Sequence, residues 1–88
     1  MEREQFEEKY SNVKLYFKSY YKYSFTFVGN ADDGTVITAS FGGGANEIYK
    51  SSVKSDEPAE VGDLERNWSY VIAEKDGDEI FEWHDPRW

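Results

Sequence analysis

The side chains with catalytic potential are few and have little support from their neighbours. His84 is the only histidine, and the predicted pairing of the last hairpin places it next to Ser69. A nucleophilic serine also needs an acid that orients the histidine and an oxyanion hole, and neither is visible. Glu74 and Glu79 form an acid pair, but they lie at a turn, where water screens their repulsion. We therefore expect that the chain is not an enzyme.

Metal and phosphate sites find equally weak support. Acids surround the turn at Asp76-Gly77, but the spaced ligands of an EF-hand loop are not all present, and a weak calcium site is the most that they indicate. Gly42-Gly43-Gly44 is not followed by the Lys-Ser/Thr of a phosphate-binding loop, so we interpret it as a strand break. The absence of cysteine excludes a zinc ribbon and a thiol nucleophile. No cofactor and no metal is predicted.

One stretch concentrates enough charge to indicate a binding surface. It carries five acids within ten residues: Asp56, Glu57, Glu60, Asp63 and Glu65. The stretch also contains Pro58 and Gly62, which is typical of a loop. A charged loop often serves only solubility, but the same pattern suits a basic partner, since complementary charge speeds association. We take these five carboxylates as the candidate partner-binding site.

The overall charge narrows the class of partner. Of 88 residues, 18 are acidic and 10 are basic, and the net charge of −8 argues against direct binding of nucleic acid. Residues 9–31 are the exception, since they hold four lysines, no acid and half of the sixteen aromatic side chains. Such a block suits a stacking platform for single-stranded nucleic acid. The acidic remainder favours the other interpretation, in which the aromatics form the core and lysine stems cover its edge.

Length and hydropathy indicate a single domain over residues 1–88, because two separate cores would not fit in this length. No apolar run approaches the roughly 18–20 residues of a membrane-spanning helix, and the first residues are not those of a signal peptide. Without cysteines that would suggest an oxidising compartment, we expect a cytoplasmic protein that does not contact membranes.

The apolar pattern predicts one helix followed by a sheet. Apolar residues at spacings of three and four predict a helix over residues 2–18, although the segment 13–19 also alternates like a strand. From Tyr20 onward the period is two. The predicted strands cover residues 20–29, 35–41, 47–53, 67–74 and 79–84. The fold class is therefore α+β, with an N-terminal helix packed on an antiparallel meander of about five strands.

The last two strands form a predicted hairpin whose register follows from its turn. Asp76-Gly77 favours a two-residue type I′ turn. Counting outward from it, Glu74 faces Glu79 and Val71 faces Glu82. This register collects five large apolar groups on one face: Trp68, Tyr70, Ile72, Phe81 and Trp83. Because a slip by one residue would expose the set, we predict that this face is buried.

Two functional hypotheses from different classes follow. The first is a small acidic binding module or inhibitor that occupies a basic surface of a partner protein, such as a nuclease or another nucleic-acid-binding protein. In composition the chain is similar to toxin-immunity proteins and phage-encoded nuclease inhibitors, which are also small, acidic and without catalytic constellations. The alternative is a stand-alone β-rich domain that binds a small ligand on the aromatic face of its sheet.

Overall fold

A computed structural model of the chain describes residues 1–21, 24–42 and 57–86. The elements follow in the order α1 (Arg3–Tyr10), β1 (Lys14–Tyr21), β2 (Ser24–Asn30), β3 (Val36–Gly42), β4 (Ala59–Glu60), α2 (Leu64–Asn67), β5 (Tyr70–Lys75) and β6 (Asp78–His84). The predicted α+β class with an N-terminal helix and an antiparallel sheet is confirmed, and the sheet has six strands. The strand predicted over residues 47–53 lies outside the described residues.

The strands form one antiparallel sheet in the order β4-β1-β2-β3-β5-β6. Strands β1 to β3 are a meander, and the β5–β6 hairpin extends the sheet beside β3. Strand β4 pairs instead with the other side of β1, where Glu60 lies opposite Lys14. Residues 61–69 therefore cross one face of the sheet to connect β4 with β5.

Helix α1 is shorter than predicted. The prediction of a helix over residues 2–18 is wrong beyond Tyr10, because residues 14–21 form β1. This strand pairs with β2 on one side and with β4 on the other, and it buries Leu15 completely. Such long-range pairing overrides a local helical pattern.

A bulge in β1 explains why the sequence resembles a helix there. The register with β2 shifts between Phe17 and Ser19, so Lys18 is the extra residue. Both Phe17 and Tyr20 then contact the ring of Phe25, although they are three residues apart. A bulged strand thus reproduces the spacing of a helical stripe.

The core lies between the sheet and the segments that cross it. Phe6 of α1 stacks on Phe81 of β6 with ring centroids 4.2 Å apart. The indole Nε1 of Trp68 donates a hydrogen bond of 2.8 Å to the carbonyl oxygen of Val61, and its ring packs edge-on against Phe27. The stretch interpreted as a loop therefore supplies three buried core residues, Ala59, Val61 and Leu64, and Trp68, which follows it, is buried as well.

The last hairpin forms with the predicted turn but with a different register beyond it. Asp76 and Gly77 have φ angles of 54° and 85°, as a type I′ turn requires, and Glu74 pairs with Glu79. The register then shifts, so that Phe81 pairs with Ala73 and Ile80 is the extra residue. The predicted register is therefore wrong beyond Glu74, because a bulge cannot be counted from the turn.

The bulge at Ile80 splits the predicted apolar face. Phe81 and Trp83 remain on the side of the core, where Val71 and Ala73 are fully buried beside them. Tyr70 and Ile72 alternate with those two residues and are only half-buried on the opposite side of β5. The strand itself begins at Tyr70 rather than at residue 67, since residues 64–67 form α2.

We predict that Phe27→Ala lowers the free energy of unfolding by about 3–5 kcal/mol, because Phe27 is fully buried at the centre of the aromatic core. The control is Tyr16→Ala on the opposite face of the sheet, where the side chain is 54% exposed, and the expected change is within about 0.5 kcal/mol. Urea denaturation followed by tryptophan fluorescence measures both. Equal losses for the two variants would contradict the assignment of the core face.

Candidate functional site

The structure places the predicted acidic site in contacts that hold the fold together. Glu60 forms an ion pair with Lys14, with 2.7 Å between Oε1 and Nζ. Arg3 Nη1 lies 3.2 Å from Glu65 Oε2, and Arg3 Nη2 lies 3.4 Å from Asp63 Oδ1. Of the other two predicted acids, Glu57 is exposed and forms no ion pair with another described residue, and Asp56 lies outside the described residues. Three of the five acids thus form ion pairs within the molecule, although Asp63 and Glu65 share the single charge of Arg3 with Glu7.

Asp63 also begins helix α2. Its Oδ1 accepts a hydrogen bond from the Arg66 backbone N–H, which is the usual role of an N-cap aspartate. The Leu64 N–H, which has no partner within so short a helix, donates instead to Glu7 Oε2 of α1 at 3.1 Å. Asp63 and Glu65, two of the acids predicted as a docking surface, therefore connect the start of α2 to the first helix through Arg3.

A cavity of about 580 Å³ lies between the end of α1, the start of β1 and the β2–β3 turn. Lys9 Nζ and Asp33 Oδ2 on its wall are 3.4 Å apart. The Tyr10 hydroxyl donates a 2.7 Å hydrogen bond to Asp33 Oδ2, and the Thr35 N–H donates to Oδ1. These bonds hold the pKa of Asp33 well below its usual range. The Asp33 carboxylate therefore connects α1 to the β2–β3 turn through these contacts.

The prediction that Ser69 and His84 are cross-strand partners is wrong, because the register of the hairpin differs by one residue there. His84 pairs with Tyr70, and their rings are edge-on with centroids 6.2 Å apart. The Ser69 carbonyl oxygen accepts a hydrogen bond from the Asp85 N–H. Within residues 1–21, 24–42 and 57–86, no group of three or more His, Asp or Glu side chains is placed to hold a metal ion.

The face of the sheet opposite α1, called here the open face, has no buried side chain in its two central rows. The rows consist of Tyr16, Val28, Thr38, Ile72 and Glu82, and of Ser19, Thr26, Ser40, Tyr70 and His84. Each of these residues is half-buried or exposed, whereas its neighbours on β3 and β5 that face the core are buried. The apolar side chains of Val28 and Ile72, which lie on either side of Thr38, are thus only half-buried.

Three carboxylates lie together on the open face, at the end of the β5–β6 hairpin that carries the turn. They belong to Glu74, Glu79 and Glu82. Partial desolvation raises the pKa of Glu79, and the charge of Glu82, a hydrogen bond with it and the charge of Glu74 raise it further. Desolvation and the same carboxylates also raise the pKa of Tyr70. None of the three acids forms an ion pair within the described residues.

Sequence reasoning found only part of this carboxylate trio. It paired Glu74 with Glu79 correctly but placed Glu82 on the other face, opposite Val71. The bulge at Ile80 brings Glu82 to the side of Glu79. The only signal in the sequence is the spacing of three residues between Glu79 and Glu82. Residues at this spacing lie on opposite faces of a regular strand, and a bulge between them places them on the same face.

Comparisons with protein-family models, curated proteins and solved structures find no match for this chain. Neither helix in the described ranges is long and apolar enough to cross a membrane.

We predict that Asp63→Ala lowers the free energy of unfolding by about 1 kcal/mol, because it removes the cap of α2 and one partner of Arg3. Glu57→Ala removes an exposed carboxylate of the same stretch and should change stability by less than about 0.5 kcal/mol. Thermal and urea denaturation compare the two. Equal effects would show that the stretch carries only surface charge.

A second prediction concerns pH. An acid whose pKa is higher in the folded state than in the unfolded state opposes folding when it is ionised. Glu79→Gln should therefore raise stability at pH 7, and the gain should vanish below about pH 4, where the carboxyl is protonated in both states. Glu57→Gln is the control and should show no gain at either pH. A loss of stability with Glu79→Gln at pH 7 would contradict repulsion within the trio.

Proposed function

We propose that this chain is a protein-binding module that occupies a basic surface of a partner protein through the β5–β6 part of its open face. The observation that carries the proposal is the trio of Glu74, Glu79 and Glu82, whose charge no basic side chain of the described residues balances. A lysine or arginine of a partner would stabilise these three neighbouring negative charges.

The surroundings of the trio favour a protein over a simple ion. Ile72 and Tyr70 lie beside the carboxylates and are half-buried, so a partner can exclude water from apolar surface while its cations meet the acids. Interfaces commonly combine such apolar centres with charged rims, and tyrosine is frequent among their strongest contacts. The chemistry that fits is a surface with two or three basic side chains around an apolar patch.

A groove that holds nucleic-acid phosphate is one surface of this kind. Carboxylates on neighbouring strands and on one face of a strand lie about 5–7 Å apart, which forms a short ladder of negative charge. Occupation of such a groove would block the phosphate backbone without any chemical step. We therefore propose inhibition of a nuclease or another nucleic-acid-binding protein as the mode of action, by binding alone.

The second candidate function, binding of a small ligand, is favoured by the cavity near the β2–β3 turn. Both lysines of the cavity are already paired, however, since Lys9 contacts Asp33 and Lys14 contacts Glu60. A ligand would have to displace these pairs or bind to the apolar and amide groups between them. The cavity offers one carboxylate without an ion pair in the described residues, that of Asp32, whereas the open face offers three that lie together.

The test compares two double variants with the same change in net charge. Glu74→Lys with Glu82→Lys inverts the trio, whereas Glu8→Lys with Glu57→Lys alters exposed acids elsewhere. Immobilised wild type captures partners from the native host, and mass spectrometry identifies those that added salt releases. The strongest captured protein is then purified, and its Kd is measured for each variant.

We expect a basic partner whose affinity falls at least about tenfold for the trio variant and less than about threefold for the control. Association should also slow as salt is raised, because long-range attraction is screened. Equal losses for both variants would indicate only net charge, and an unchanged affinity for the trio variant would overturn the proposal.

A further inference from the structure

Strand β6 is the long free edge of the described sheet. It pairs only with β5 in the part of the chain that the structure describes, and it has seven residues. The strand at the opposite end of the sheet, β4, has only two. A strand that has a neighbour on one side alone presents unpaired N–H and C=O groups on the other.

The direction of these backbone groups follows from the pairing with β5. In an antiparallel ladder, residues that bond to one neighbour alternate with residues whose N–H and C=O point the other way. The Asp85 N–H donates inward to the Ser69 carbonyl oxygen at 2.9 Å. Two and four residues earlier, Trp83 and Phe81 therefore also bond inward. The N–H and C=O groups of Glu82 and His84 point outward, away from β5.

The same residues carry the charge of the edge. Glu82 points its peptide groups outward while its side chain lies on the open face with Glu79. A second copy of β6 that set Glu82 against Glu82 would bring Glu79 and Glu82 of both copies onto one face. Like charges that face each other across strands are destabilising, so the charge of this edge favours a basic strand over a second copy.

A strand of another protein fits this edge if it carries basic side chains on one face and apolar side chains on the other. Its side chains on the open face would meet Glu79 and Glu82, which favours lysine or arginine there. Its side chains on the other face would lie beside the half-buried ring of Trp83, where the Arg3 guanidinium already lies 5.6 Å from the ring centroid, so this face favours apolar residues over further cations. Alternation follows from the period of two in any strand.

We infer that β6 binds an extended segment of the partner, with basic and apolar residues in alternation, as a seventh strand of the sheet. The inference rests on the proposed function, because it specifies how a basic partner reaches the carboxylate trio. Main-chain hydrogen bonds would supply affinity, as in other cases of strand addition. The carboxylates of Glu79 and Glu82 would supply selectivity for basic residues in the partner strand.

The experiment uses a defined probe, the acetylated and amidated peptide Thr-Lys-Val-Lys-Val-Lys-Val-Thr. Its Kd for the full chain is measured by calorimetry at low salt, and amide exchange is followed by NMR. The matched control peptide has glutamate at each lysine. A third peptide is N-methylated at alternate residues along one edge, and a fourth along the other, so that one of them cannot donate hydrogen bonds to β6.

We expect slower exchange at the amides of Glu82 and His84 when the lysine peptide is bound, no binding of the glutamate peptide, and weaker binding of one N-methylated peptide only. His84→Pro removes one outward N–H and should weaken binding by about fivefold to tenfold. Proline is tolerated on an edge strand where the N–H faces solvent. Circular dichroism checks the fold of this variant, and the N-methylated peptides provide the same test on the unaltered chain.

Two results would overturn the inference. The first is binding that leaves Glu82 and His84 amide exchange unchanged and is equal for both N-methylated peptides, which would indicate docking on the face rather than at the edge. The proposed function would then still stand on the trio variant. The second is no binding of the lysine peptide at low salt, which rejects strand addition while the capture experiment separately decides the proposed function.

Discussion

Glu7 of α1 accepts a hydrogen bond from the backbone of Leu64, 57 residues further along the chain, and this contact joins the two segments that cover the sheet. Arg3 strengthens the junction through Glu7, Asp63 and Glu65. Helix α1 and residues 61–69 both pack on the same face of the sheet, and the described residues contain no further element that covers the opposite face. The accessible face that we propose for binding is thus a consequence of how the core is closed.

Two groups of acids among the described residues have different physical roles. One group, which includes Asp33, Glu60 and Asp63, accepts hydrogen bonds or forms ion pairs and so contributes to the fold. The other group is the trio on β5 and β6, where desolvation and the neighbouring carboxylates raise the pKa of Glu79. The net charge of the chain does not distinguish these two groups, because an aspartate that caps a helix and a glutamate without an ion pair contribute equally to it.

The sequence predicted the class of fold, the strand from residue 35 and the turn at Asp76-Gly77, because strict alternation and a type I′ turn are local signals. It failed at Lys18 and Ile80, where bulges insert one residue and invert the faces beyond them. It also missed the burial of Val61 and Leu64 within a polar stretch. Bulges and crossing segments depend on contacts between residues that are distant in sequence, and local sequence patterns do not predict such contacts.

NMR mapping of the chain with a purified basic partner would locate the binding surface that we propose on the β5–β6 side of the open face. Backbone shifts should change most at Tyr70, Ile72, Glu74, Glu79 and Glu82. The core side, represented by Ala39 and Val61, should change little. Changes that concentrate instead at residues 57–65 or around the cavity, with the trio unaffected, would show that the partner binds elsewhere.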